Sequence, residues 1–248
     1  MKGNFPKHVV MLADGHGGEG LASLAEYGSL EAMSRTLIVL AETGIERLVV
    51  VTGEGAEIVE KRVRATLGAT RVELIFIHNS VTESRHELGV MLGAQAVEAP
   101  YLLMRSDRLY DPAILHHALT TIGPMVGGVA YADESKSSYT PSEGALPILV
   151  GPGGSLRQIG RSVEEPNATS TGLYVMSGEL EQLLRAHHER GEESSLEEAI
   201  EILSRKSCFG LRDVSGTAWL PVGSQQAWNA PVRCSEQPLR RLRNRFFT

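Results

Sequence analysis

Apolar runs of strand length alternate with helical patterns through the first half of this chain, and that alternation is the strongest constraint on how it folds. Strand-like stretches fall near His8 to Ala13, Arg47 to Thr52, Val72 to Ile77, Tyr101 to Arg105 and Met125 to Ala132. Between them lie helical patterns at Glu31 to Glu42, Ala56 to Leu67, His86 to Glu98 and Pro112 to Thr121. A strand that feeds a helix and returns beside its parallel neighbour is the right-handed βαβ unit, so the order predicts an α/β fold with a mostly parallel sheet. Thr43-Gly44 supplies a glycine stop for the first helix, and Asp111-Pro112 a cap with proline at the first helical position.

The second half changes character. Ser135 to Ser142 is polar and turn-rich, and short strands are expected at Leu146 to Val150 and Ser155 to Ile159, joined by a hairpin turn at Gly151-Pro152-Gly153-Gly154. A strand at Gly172 to Met176 precedes helices at Gly178 to Arg190 and Ser194 to Lys206, the second opening with a capping-box-like Ser194-Ser195-Leu196-Glu197-Glu198. Strand-like pieces at Cys208 to Val214 and Thr217 to Leu220 follow. At 248 residues with 42% hydrophobic composition, the chain can bury one substantial core. The reading is one domain over residues 1–230 and a basic tail over 231–248.

Charge narrows the partners. A formal net charge of −6 gives no general attraction for nucleic acid, so an anionic ligand has to be held locally. Only Cys208 and Cys234 are present, no signal-like start is visible, and no apolar run approaches the roughly 20 residues of a membrane span. The expected location is the cytoplasm. From Pro231 onward, however, Arg233, Arg240, Arg241, Arg243 and Arg245 face only Glu236, and Phe246 and Phe247 close the tail. Such a segment is either a solvated terminal helix or a contact for an anionic membrane surface or a membrane-embedded partner, each cation near such a surface contributing about 1 kcal/mol.

The first strand runs straight into Asp14-Gly15-His16-Gly17-Gly18-Glu19-Gly20, a loop with four glycines. Glycine lets backbone N–H groups approach an anion closely, so the shape suits phosphate. The side chains do not: Asp14 and Glu19 are acidic, and no Lys or Arg occurs from Gly17 to Glu31.

With this loop, then Leu48 to Gly53, then Leu102 to Pro112, the order of elements resembles the sugar-phosphate nucleotidyltransferase superfamily over about residues 8 to 230. Within it, the motifs are most similar to those of inositol-1-phosphate cytidylyltransferase domains. Asp107 to Pro112 matches a D-H-L-F-D-P motif, Glu164 to Tyr174 an E-E-x-D-A-x-D-T-G-L-F motif, and Trp219 to Ser224 a tryptophan-containing C-terminal motif. The resemblance implies a Rossmann-like, three-layer α/β/α fold around a mixed sheet. It also implies coupling of a nucleoside triphosphate, CTP favoured, to a sugar or inositol phosphate with release of pyrophosphate. That reaction depends on positioning and charge neutralisation. By the same resemblance Ala13, Gly15, Gly17 and Gly18 cradle the nucleotide, Asp107 binds substrate and Mg²⁺, and a second aspartate completes the metal site.

Several of those positions have changed. Proline, Pro221, stands where the second aspartate of W-x-D-V-G-T belongs, Glu19 where the loop arginine belongs, and Ala22 near the following lysine. Reversing one charge about 4 Å from a ligand charge turns about 4 kcal/mol of attraction into repulsion at an effective dielectric of 20. The base-recognition pattern N-G-x-S falls on His86-Glu87-Leu88-Gly89, and two acidic positions become Asn167 and Ser170. Replacement chemistry is thin. Asp14, His16 and Glu19 read as solvated loop residues rather than a new metal cluster with Asp107, His116-His117 and His187-His188 as exposed helix residues, and neither cysteine has a histidine nearby in sequence.

Two functional expectations follow. One is a noncatalytic domain, regulatory or scaffolding and linked to phospholipid synthesis, with a CDP-alcohol phosphotransferase partner reached through the tail. The other is a divergent Mg²⁺-dependent nucleotidyltransferase. In both, the Asp107 position is the place to look.

Overall fold

The computed structural model of the chain describes residues 5–13, 29–80, 86–120, 127–136, 145–192 and 194–222. The strands are β1 (His8–Ala13), β2 (Arg47–Thr52), β3 (Glu73–His78), β4 (Tyr101–Arg105), β5 (Arg108–Tyr110), β6 (Gly128–Asp133), β7 (Pro147–Gly151), β8 (Ser155–Ile159), β9 (Ala168–Met176), β10 (Phe209–Asp213) and β11 (Trp219–Pro221). The helices are α1 (Ser29–Glu42), α2 (Ala56–Leu67), α3 (His86–Ala94), α4 (Pro112–Thr120), α5 (Gly178–Glu189) and α6 (Leu196–Arg205).

The main sheet runs β10-β6-β9-β4-β1-β2-β3, with the β7–β8 hairpin attached to β9. All neighbours along this path are parallel except β9, which is antiparallel to both β4 and β6. The mixed, mostly parallel sheet is the one expected. Both its faces are covered, as parallel sheets require. Val9, Met11 and Ala13 of β1 face one apolar cluster with Met33 and Leu37 of α1, Val59 and Val63 of α2 and Ile114 and Leu115 of α4. Val10 and Leu12 face the other, with Val90 of α3, Leu180 and Leu184 of α5 and Ile200 of α6. Alternation along one strand thus supplies two cores, giving three layers.

Several boundaries differ from the sequence reading for local reasons. Helix α3 stops at Ala94, four residues early, because Ala96 and Val97 bond back to Gly93 and Ala94 in tighter turns and the Glu98 N–H donates to His8 Nδ1. Strand β3 begins at Glu73 because the Val72 N–H donates to Thr70 Oγ1 instead of the ladder, while Arg47 Nε reaches Glu73 Oε2 at 2.8 Å. Strand β9 begins at Ala168 rather than Gly172, since Thr169 and Ser170 pair with β6 and Ala168 with β7. At α6 the capping box forms on Ser195: its hydroxyl accepts the Glu198 N–H, and Glu198 Oε2 accepts the Ser195 N–H.

Strand β5 was not expected. It pairs with β11 as a small antiparallel ribbon, Arg108 opposite Pro221 and Tyr110 opposite Trp219. A buried bond ties this ribbon to the main sheet: the Trp219 indole N–H donates to Asp133 Oδ2 at 2.9 Å, while Asp133 Oδ1 accepts from the Ser135 N–H and hydroxyl.

Of the helix histidines, His116 and His188 are exposed, but neither His187 nor His117 is. The His117 Nδ1 lies 3.1 Å from the Tyr131 hydroxyl and its ring meets the tyrosine edge to face. Burial, then the charges of Arg212 and His116, hold the His117 pKa below the ordinary histidine value of 6.5. A depressed folded-state pKa favours the neutral ring, so this contribution is present above the unfolded value and lost as pH falls through the folded one. The melting temperature should therefore fall on acidification below about 6.5, and His117→Gln should flatten that part of the profile, as read by circular dichroism.

Candidate functional site

Strand order places the site. β1 has β2 on one side and β4 on the other, so the chain switches direction across the sheet between β1 and β4, and the crevice beyond their carboxyl ends is where open α/β sheets bind ligands. Ala13, the last residue of β1, is buried there, and the Leu12 carbonyl accepts the Ser106 N–H at 2.9 Å. Leu12 also pairs with Arg105, the last residue of β4. Gly15, Gly17 and Gly18, with Asp14, His16, Glu19 and Ala22, lie outside the described residues, as does the tail from 223 onward.

Asp107 sits in the two-residue turn between β4 and β5, where the sequence placed it, but it leads into a strand rather than directly into a helix. Its carboxylate is gripped from two sides. Arg105 donates from Nε to Oδ1 at 2.9 Å and from Nη2 to Oδ2 at 2.7 Å, a bidentate fork. Arg108 Nη1 lies 2.9 Å from Oδ1 and also donates to the Asp107 carbonyl at 3.0 Å. Bidentate, charge-assisted bonds of this kind are short and geometrically selective. The Asp107 and Arg105 side chains are 14% and 18% exposed and Arg108 only 2%, so the cluster is largely screened from water. Burial presses the Arg108 pKa below its ordinary value, opposed chiefly by the Asp107 charge.

Room for two arginine stems comes from an irregularity in β9. Between the Tyr131–Leu173 and Ala132–Ser170 pairs, Thr171 and Gly172 form a bulge. Thr171 Oγ1 donates to the Tyr131 carbonyl and accepts the Leu173 N–H, and the Tyr110 hydroxyl donates to the Thr171 carbonyl. Gly172 has φ +76°, and a Cβ there would stand 3.2 Å from Arg105 Cδ and 3.6 Å from Arg108 Nε. The left-handed φ is what calls for glycine, while the spacing is tight only against Arg105 Cδ. The Thr171-Gly172 pair inside an apolar strand was the sequence signal for this bulge, and it was read only as part of a motif.

The altered motif positions serve the framework. Asn167 Oδ1 accepts the Val150 N–H and its Nδ2 donates to the Val150 carbonyl, a two-bond clamp on β7. Ser170 is buried, its hydroxyl 2.9 Å from the Tyr174 hydroxyl. Burial pushes the Tyr174 phenol up to about 12, against that hydrogen bond. Both phenols beside the cluster, Tyr110 and Tyr174, are neutral at ordinary pH.

Fitness for Mg²⁺ can be judged from the donors. Pro221, the position opposite Arg108 in the ribbon, has no side-chain oxygen, and the Val222 N–H donates to the Asp107 carbonyl at 2.9 Å. The two positions that would ligate the ion are therefore adjacent, but one is a pyrrolidine ring and the other already holds two guanidinium groups. A divalent ion about 4 Å from one guanidinium would meet about 8 kcal/mol of repulsion at an effective dielectric of 20, against a preference for oxygen ligands in octahedral array. Among the described residues no group of three His, Cys, Asp or Glu side chains is placed to hold a metal ion. These residues do not fit Mg²⁺.

Comparison with solved structures decides the architecture. The inositol-1-phosphate CTP transferase from T. maritima superposes with a TM-score of 0.74, at 21% identity, covering 96% of each chain. The chain has the sugar-phosphate nucleotidyltransferase fold. A UDP-glucose pyrophosphorylase solved with UDP-glucose matches this nucleotidyltransferase fold with a TM-score of 0.69 at 12% identity, covering 90% of this chain and 96% of the other. A curated protein, the bifunctional IPC transferase and DIPP synthase of Aquifex aeolicus (strain VF5), is 21% identical over 226 residues. That stretch is 88% of this chain and 49% of the relative, so the chain spans about half the length of the curated relative. No protein-family model matches the chain.

The bulge gives a direct check on how the cluster is built. Gly172→Ala should lower stability by about 1–2 kcal/mol, the cost of a left-handed conformation at a residue with a Cβ, read as a lower urea midpoint at unchanged m-value.

Proposed function

We propose that this chain is a noncatalytic nucleotidyltransferase-like domain, regulatory or scaffolding, that works alongside the synthesis of an inositol-containing phospholipid. The observation that carries this reading is the state of Asp107: its carboxylate is committed to Arg105 and Arg108, beside Pro221. Nucleotidyl transfer needs charge neutralised where it develops on the phosphates. Asp107 paired in this way does not hold a metal ion that would supply it, and the segment after β1 has no Lys or Arg from Gly17 to Glu31.

The link to phospholipid synthesis rests on the resemblance of the Asp107, Glu164 and Trp219 motifs to those of inositol-1-phosphate cytidylyltransferase domains; the bifunctional IPC transferase and DIPP synthase supports the nucleotidyltransferase part of the reading alone, and is about twice as long as the matched stretch. A CDP-alcohol phosphotransferase is the partner we propose, reached through the arginines from Arg233 to Arg245 at the cytoplasmic membrane surface. No helix among the described residues is long and apolar enough to cross a membrane. Deleting Arg240, Arg241, Arg243 and Arg245 should abolish co-flotation with anionic vesicles; failure of the unaltered chain to float would remove this part of the proposal.

One observation favours the second reading, a divergent Mg²⁺-dependent transferase acting on CTP and a sugar or inositol phosphate: Asp107 is retained at the end of β4, beside the switch point. Pyrophosphate release with CTP, Mg²⁺ and inositol 1-phosphate separates the two. No release above a no-enzyme control is expected. Turnover that disappears in Asp107→Ala would establish the second reading instead.

A further inference from the structure

The counter-charges of Asp107 are carried by its own chain. Two arginines converge on a single carboxylate, one from each side of the β4–β5 turn, and both oxygens are engaged. The β9 bulge runs beside them: a Cβ on Gly172 would stand 3.2 Å from Arg105 Cδ and 3.6 Å from Arg108 Nε, so both stems pass close to its backbone. The neighbouring position that would supply a second carboxylate is Pro221, set opposite Arg108 in the ribbon and fixed there by the Val222-to-Asp107 backbone bond. Charge and ligand set therefore both favour a guanidinium over a divalent ion beside this carboxylate. An isolated loss of one metal ligand would leave Asp107 facing solvent or a void; here it is the centre of a packed, hydrogen-bonded cluster.

Resting on the reading of the site as noncatalytic, we infer that the Arg105–Asp107–Arg108 cluster takes the place of a divalent cation in this fold. The positive charge that neutralises Asp107 is covalently part of the chain, always protonated, and neither exchanges with solvent nor responds to chelators. A guanidinium donates directional N–H bonds but has no vacant coordination position, so it neutralises and positions without acting as a Lewis acid. The site then needs no metal to be formed and takes none up.

Manganese serves as the probe, because it shares magnesium's preference for oxygen ligands and is paramagnetic. Titrating Mn²⁺ into the full chain, followed by electron paramagnetic resonance, should leave the free-ion signal undiminished by any Asp107-dependent site, and Mg²⁺ should not shift the melting temperature. Stoichiometric Mn²⁺ binding that Asp107→Asn abolishes would overturn the inference, while binding that survives Asp107→Asn lies elsewhere and agrees with it. The triple variant Arg105→Ser, Arg108→Ser and Pro221→Asp removes both guanidinium groups and places a carboxylate beside Asp107. It should acquire about one Mn²⁺ per chain by the same measurement, and a folded triple variant that binds none would also overturn the inference. Should that variant fail to fold, the titration of the unaltered chain decides alone. Failure here is distinct from failure of the noncatalytic reading. Mn²⁺ held at Asp107 without turnover removes only the built-in cation, and pyrophosphate release that persists in EDTA removes only the noncatalytic reading.

Discussion

A carboxylate held between two guanidinium groups sets the terms for the whole carboxyl edge of the sheet. Breaking such a pair by removing one partner is costly where water is excluded, because a buried charge is left without its counter-charge. The elements around Asp107 are arranged accordingly. β4 ends on one arginine, β5 begins on the other, β9 bulges to admit both, and β11 closes the floor through the Val222 N–H. The bond from Trp219 to Asp133 then fixes β11 to β6, so the ribbon under the cluster cannot drift relative to the main sheet.

Most of the framework was readable in the sequence because it rests on period and punctuation. β1, β2, β4, β8 and α2 fall on the residues their apolar patterns mark, and Ser195 caps α6 through the box its sequence spells. The boundaries that moved did so through single long-range bonds. The His8 ring that accepts the Glu98 N–H is far from α3 in sequence, and no local pattern announces it. β5 escaped because three residues carry too little alternation to register.

The site was legible in part. Asp107 was singled out, and Pro221 was recognised as a missing ligand, but the arginines flanking Asp107 went unremarked although they stand two residues before it and one after it in sequence. A cation next to an acid in a turn is ordinarily a solvated pair. Here the bulge at Thr171 and Gly172, brought alongside by antiparallel pairing of β4 with β9, lies against the two arginines, and the cluster is largely buried. Sequence proximity gave the members; the fold of a distant strand gave their environment. The acidic glycine loop raises the same question of charge in the sequence, on residues outside those described.

Pro221 has a consequence for the substitutions open to this chain. A change to aspartate there would place a new carboxylate opposite Arg108, where it would be absorbed as another ion-pair partner. Loss of Arg105 alone would leave Asp107 short of its bidentate fork in a site with little water. The effect of either change depends on which charges remain around Asp107, so the energetics of positions 105, 108 and 221 are coupled and cannot be summed one residue at a time.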